Sequence, residues 1–228
     1  MASKVATPPL IPGTRVPMTY EEYWNLGDLE HLRVEWVDGE AIVYMGALTR
    51  HVRMSGFSYR LLSGFVQIFD LGEVFGEHLA MDLPSRPSVR IPDVLVVLHE
   101  HADRIKRDGL FGAADFVMEW VSEDSVTRDR RDKRREYERA GIPEFVAPDS
   151  REGRYEFEFL RLDAHGHYQD VAPDAEGRYH SAVLPGFWID PRWFWREPLP
   201  VVEDLLFEIA GDAYLEWLMS RRRAVQNR

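Results

Sequence analysis

Apolar residues recur along this chain at two spacings, and the change from one to the other divides it into strands and helices. Met54, Phe57, Leu61, Leu62, Phe65, Ile68 and Phe69 return every three or four positions and form one stripe of an amphipathic helix over 51–70. Before it, Val34-Glu35-Trp36-Val37 and Ala41-Ile42-Val43-Tyr44 flank Asp38-Gly39, a pair that supplies the positive φ angles a tight hairpin turn needs. Thr19 and Glu22 have the capping-box spacing and open a short helix with Tyr20, Tyr23 and Leu26 on one side. Strands are expected over 73–82 and 90–99. The second, Val94-Leu95-Val96-Val97-Leu98, is apolar without alternation, as in a strand covered on both faces.

Beyond residue 100 the pattern predicts a charged, mobile excursion over 100–114 and a strand over 115–122. A helix over 125–140 stops at Gly141, a residue suited to the left-handed cap, and Pro143 prevents it from resuming before a short strand at Glu144. A hairpin follows over 154–171, with Tyr155, Phe157 and Phe159 alternating with polar residues and a turn at 163–166. Residues 184–196 are aromatic and Pro-rich. A last helix over 201–223 turns Leu205, Leu206, Ile209, Tyr214, Trp217 and Leu218 inward and sets Arg221, Arg222 and Arg223 at its negative end. The order predicts an α/β fold: a leader over 1–17 made irregular by Pro8, Pro9, Pro12 and Pro17, a domain over 18–197, and a C-terminal helical appendage over 198–228.

Three charged residues break this pattern where apolar ones belong. Asp93 heads the Val94–Leu98 run, Glu119 interrupts Phe116-Val117-Met118-Glu119-Trp120-Val121, and Lys133 lies on the least polar face of helix 125–140. Asp129, Lys133 and Tyr137 are four apart and share that face. Unpaired buried charge is costly, so two carboxylates and an ammonium near one sheet imply a partner. Two carboxylates suit Mg²⁺ or Mn²⁺, which take hard oxygen ligands, and an ammonium beside them can offset charge developing on a phosphoryl group. Taken singly, each residue has a plainer reading: Asp93 as a turn residue after Pro92, Glu119 on an edge strand facing water, Asp129–Lys133 as a surface ion pair.

Composition narrows the field. The 228 residues, 45% of them hydrophobic, fit one medium domain with a full core. The absence of cysteine excludes disulfides, zinc-thiolate sites and thiol nucleophiles. A net charge of −11 argues against a basic coat but not against a local basic surface, for which Arg130, Arg131 and Arg134 are candidates. The competing reading of those arginines is a salt-bridged exposed face. The sequence shows no signal peptide and no apolar run approaching the roughly 20 residues of a membrane span, so a cytoplasmic chain without membrane partners is expected. His51, at the start of its helical stripe, either packs or caps, or orients a ligand. No phosphate-binding Gly-rich loop and no Gly-x-Ser-x-Gly elbow occur.

Glu35-Trp36-Val37-Asp38-Gly39-Glu40, His51, Pro92-Asp93-Val94, Glu119-Trp120-Val121-Ser122, Asp129 with Lys133 and Tyr137, Ala140-Gly141-Ile142-Pro143-Glu144-Phe145 and Leu184-Pro185-Gly186-Phe187 occur in an order that resembles the Uma-two family, a restriction-endonuclease-like branch of the PD-(D/E)XK nucleases. The resemblance, over roughly 18–195, implies a central mixed sheet flanked by helices, with added β-hairpins. It implies that Asp93 and Glu119 bind the metal, that Glu35 is a further ligand or orienter, and that Lys133 replaces the lysine usually found two residues after the second acid, where this chain has Val121. His51, Asp129 and Tyr137 are accessory residues on this comparison. The chain departs from its relatives at Ser122-Glu123-Asp124-Ser125, where Glu123 and Asp124 add negative charge. The expectation is a Mg²⁺- or Mn²⁺-dependent endonuclease acting on DNA, with a homodimer as its candidate assembly. The alternative is a catalytically inactive nuclease-fold module for nucleic-acid or protein binding.

Overall fold

The computed structural model describes residues 9–26, 32–44, 49–83, 87–121, 128–149, 151 and 153–226, with the side chains of 128–130 outside the description. Two six-stranded mixed sheets carry the fold. In spatial order the first contains Arg15–Pro17, Glu40–Val43, Val34–Val37, Ser88–Arg90, Met81–Leu83 and Leu110–Phe111. The second contains Tyr168–Asp170, Phe157–Leu162, Glu144–Pro148, Phe116–Met118, Val94–Leu98 and Gly72–Gly76. A small ribbon pairs Tyr179–His180 with Trp188–Ile189. The helices are α1 (Tyr20–Trp24), α2 (Thr49–Phe69), α3 (Arg134–Ala140), α4 (Val202–Ala210) and α5 (Asp212–Gln226).

The local expectations with a defined chemistry are met. The Thr19–Glu22 capping box closes α1. Asp38 and Gly39 take φ 51° and 86° in the hairpin turn, and Gly141 caps α3 at φ 79°. The Val94–Leu98 strand is covered on both sides. Val94 and Val96 pack with Leu61, Leu62 and Phe65 of α2, whereas Leu95 and Val97 pack with Tyr137 of α3 and with Ile142 and Phe145. This alternation decides which face of the sheet carries the site, because Asp93 continues the parity of Leu95 and Val97.

Five expectations change. The strand over 73–82 is two strands: Gly72–Gly76 lies in the second sheet and Met81–Leu83 in the first, separated by a turn where His78 has φ 101°. Gly76-Glu77-His78 interrupts the segment, but the residues on either side do not show which sheet each half joins. The 100–114 excursion is held in place rather than loose. His99–Arg104 forms a 3₁₀ turn, Leu110–Phe111 pairs in parallel with Met81–Leu83, and Arg104 donates to the Ala113 carbonyl at 2.7 Å. Some of its charges make such internal bonds. Helix 125–140 is a π-helical turn at Arg128–Lys133 running into α3, while 122–127 lie outside the described residues. The last helix breaks at Gly211 into α4 and α5, so Leu205, Leu206 and Tyr214 are buried but Leu218 is 42% exposed. Arg15–Pro17, at the end of the segment read as irregular, pairs with Glu40–Ile42.

Candidate active site

The chain crosses from the first sheet to the second between Arg90 and Val94, and the cluster forms around that crossing. In the second sheet Val94–Leu98 and Phe116–Met118 are antiparallel neighbours with Val94 opposite Met118. Continuing that register by one residue puts Asp93 opposite Glu119, and directly opposed residues project to the same face. Antiparallel pairing thus brings about the convergence. In the first sheet Trp36 lies opposite Val89, and the same extension sets Glu35 opposite Arg90. The two cross-strand pairs then face each other between the sheets.

Asp93 is pinned from one side. Its Oδ2 accepts from the Trp120 backbone N–H at 2.7 Å, which turns Oδ1 toward the cluster. Glu119 is gripped by the helix as the shared face predicted. Lys133 Nζ donates to Glu119 Oε1 at 2.8 Å, and the Tyr137 hydroxyl donates to the same oxygen at 2.6 Å. Lys133 is only 2% exposed, so its ammonium is a built component of the site and not a surface charge that happens to reach inward. The plainer reading of Lys133 as a surface residue does not hold. The Asp129 side chain lies outside the described residues.

Glu35 is completely buried and joins the same group. Its Oε1 accepts from the Ile91 N–H at 3.2 Å and lies 3.5 Å from Lys133 Nζ, while Oε2 accepts from Arg90 at 2.9 Å and from the Tyr44 hydroxyl. Arg90 is buried too and forms a two-pronged pair with Glu136 of α3, at 2.8 and 2.7 Å. Arg33 enters from beside Glu35 and reaches three acids: Nη1 donates to Asp93 Oδ1 at 2.8 Å, while Nη2 lies 3.7 Å from Glu35 Oε1 and 3.9 Å from Glu119 Oε2. It also donates to the Ile91 carbonyl and stacks over the Tyr44 ring. A guanidinium therefore stands at the point on which three carboxylates converge.

These contacts set the charge states. Burial alone would raise the Glu35 carboxyl, but Lys133, Arg90 and Arg33 outweigh it and hold the group well below the ordinary range. Burial likewise opposes ionisation of Asp93, and Arg33 and His51 reverse the effect, leaving its value strongly depressed. The Tyr137 hydroxyl is driven far up by burial and by Glu119 and Glu35, so it stays a donor. Burial disfavours a charged His51, but its contact with Asp93 raises its value on balance. Glu35 and Asp93 are thus held ionised.

His51, from the first turn of α2, lies beside Asp93 with Nε2 at 3.4 Å from Oδ1, and Glu77 Oε1 is 3.7 Å from the same nitrogen. Of the proposed DNA-contacting arginines, Arg131 pairs with Asp132 at 3.1 Å and Arg134 with Glu158 at 2.8 Å, which accords with the salt-bridged reading. The Arg130 side chain lies outside the described residues. Sequence reasoning missed Arg33, Tyr44, Glu77, Arg90 and Glu136. Arg90 breaks the apolar run Val89-Arg90-Ile91 just as Asp93 and Glu119 break theirs, and Arg33 shares a strand face with Glu35 by period two. Glu77 carries no comparable signal.

A two-sheet α/β frame with opposed buried acids and a helix-borne lysine belongs to the restriction-endonuclease-like class of folds. A putative nuclease of DUF820 from Anabaena variabilis has a similar solved structure, with a TM-score of 0.64 and 15% identity over 78% of this chain and 98% of that one. The family described as Uma2, "Putative restriction endonuclease", matches residues 20–192, and the chain belongs to it. No curated protein sequence matches the chain.

Proposed function

We propose that this chain is a divalent-metal-dependent endonuclease that hydrolyses phosphodiester bonds in DNA. The carrying observation is the meeting of Asp93, Glu119 and Lys133 between the sheets, with Lys133 held at 2.8 Å from Glu119. The donor chemistry fits a hard cation: Asp93 Oδ1, Glu119 Oε2 and Glu35 Oε1 all turn toward the Arg33 guanidinium, a place already built for positive charge. Asp93 and Glu119 would hold Mg²⁺ or Mn²⁺, with Glu35 in support. The ion supplies Lewis acidity to the phosphoryl oxygen and to the attacking water.

The chain's own residues do the positioning. Trp120 N–H fixes the direction of Asp93, and Tyr137 fixes Glu119. Lys133 then orients the water or offsets charge growing on the phosphoryl group. Arg33 must give way for the ion to sit between the acids. The domain over 18–197 would carry this activity in the cytoplasm.

A second reading has one observation in its favour: Arg33, Arg90 and Lys133 already balance the acids, as in a non-catalytic module of the same fold. Nicking of supercoiled plasmid by pure protein decides between them. Nicking is expected with Mg²⁺ or Mn²⁺, lost with EDTA and lost in Asp93→Asn. Intact plasmid under all conditions would leave the module.

A further inference from the structure

We propose that His51, Glu77 and Asp93 form a second cation locus at the mouth of the cluster, one that takes Mn²⁺ in preference to Mg²⁺. The inference rests on the nuclease reading of Asp93, and it adds a ligand set that this reading does not use.

Three features place the ion. The ligand atoms of His51, Glu77 and Asp93 all lie within 4.8 Å of one another. His51 Nε2 stands 3.4 Å from Asp93 Oδ1 and 3.7 Å from Glu77 Oε1. Those separations are long for direct hydrogen bonds, which cluster near about 2.9 Å. They suit ligands around one ion: bonds of roughly 2.1 Å at ordinary coordination angles put neighbouring ligand atoms roughly 3.0–3.6 Å apart. Finally, the His51 ring is buried with Nδ1 lacking a hydrogen-bond partner among the described residues, so Nδ1 is free to carry the ring proton when an ion takes Nε2. With a cation between them, the Nε2 lone pair and the two carboxylates all become ligands of one ion.

The chemistry selects the ion. One imidazole with two carboxylates is a poorer cage for Mg²⁺, which prefers oxygen and water, than for Mn²⁺ and its neighbours in the first transition row. Glu77 is half-buried where the other two ligands are buried, so the locus opens to solvent on the Glu77 side. Asp93 Oδ1 also accepts from Arg33, and an oxygen with two lone pairs can serve both the guanidinium and an ion on the His51 side.

The test is electron spin-echo modulation of Mn²⁺ bound to the purified full-length protein, with no substrate present. A nitrogen modulation from one imidazole is expected in the wild type and absent in His51→Gln. Glu77→Gln should keep the modulation but weaken Mn²⁺ binding about tenfold, and excess Mg²⁺ should not displace the nitrogen-coupled ion. Mn²⁺ that binds through Asp93 without any nitrogen modulation overturns this locus and leaves the nuclease reading standing. A His51-dependent modulation in a protein that never nicks plasmid supports the locus and removes the nuclease. No Mn²⁺ binding at all overturns both.

Discussion

Arg33 donates to Asp93 Oδ1 at 2.8 Å, so the carboxylate oxygen that faces the centre of the cluster already has a cation against it. This contact gives the site two requirements that oppose each other. Folding needs positive charge between Glu35, Asp93 and Glu119, and the proposed metal-dependent catalysis would need that charge to come from an ion.

Arg33→Met should expose this opposition. Without a metal, the variant leaves three buried acids short of a partner, and loss of one member of such a network typically costs about 3–5 kcal/mol. With millimolar Mn²⁺ most of that loss should return, so the variant gains more from the ion than wild type does. Urea unfolding with and without Mn²⁺ measures both terms. Equal Mn²⁺ gains in the two proteins would show that Arg33 and the ion do not share the place.

Lys133→Met should lower single-turnover cleavage by about 10²–10³, the usual effect of removing a charge-stabilising donor in a closed site. Tyr137→Phe deletes only the second donor to Glu119 Oε1 and should cost about tenfold. Circular dichroism on both variants separates a folding defect from a chemical one. A Lys133→Met protein that cuts at wild-type speed would remove the lysine from the reaction.

The acid limb of stability should trace to Glu35 and Asp93. Both are depressed in the fold by their cationic neighbours. A depressed carboxyl contributes stability that is fully present above its unfolded value and is lost as pH falls toward the folded one. For Glu35 the decline should therefore begin near its ordinary 4.5 and continue downward. Glu35→Gln should start less stable at neutral pH, with Arg90 and Lys133 short of a counter-charge, and should then decline less steeply below pH 4.5. Urea midpoints from pH 7 to 2.5 test the slope. Parallel curves for the two proteins would contradict the assignment.

The C-terminal helices are expected to be part of the core. Leu206 of α4 is buried against α2, where a Cβ added at Gly64 would meet Leu206 Cδ1 at 2.5 Å. Leu206→Ala should cost about 2–5 kcal/mol. Gly64→Ala, which elsewhere in a helix gains roughly 1 kcal/mol, should be neutral or destabilising because Leu206 has to shift. A full gain from Gly64→Ala would mean that α4 does not press on that point.

Most local structure was legible because it depends on near neighbours: the Thr19–Glu22 cap, the Asp38-Gly39 turn, the Gly141 cap and the α2 stripe. The candidate site was legible in part because charge inside an apolar run is conspicuous, which picked out Asp93, Glu119 and Lys133. Its balancing charges were not. Arg33 is marked only by sharing a strand face with Glu35 and Glu77 by nothing local, and the roles of both arise only when two sheets and α2 come together. Strand membership failed for the same reason at 73–82, where two short strands on either side of Gly76-Glu77-His78 join different sheets. Glycine at 211 was readable as a residue but not as a break, since the hydrophobic stripe continues past it.

Diffraction from crystals soaked in Mn²⁺, recorded with anomalous signal, tests the central claim most directly. The account predicts a peak about 2.0–2.4 Å from Asp93 Oδ1, with Glu119 Oε2 turned to an ion and Arg33 moved off the carboxylates. Crystals in which Asp93 has no peak beside it, and Arg33 keeps its seat at every Mn²⁺ concentration, would contradict it.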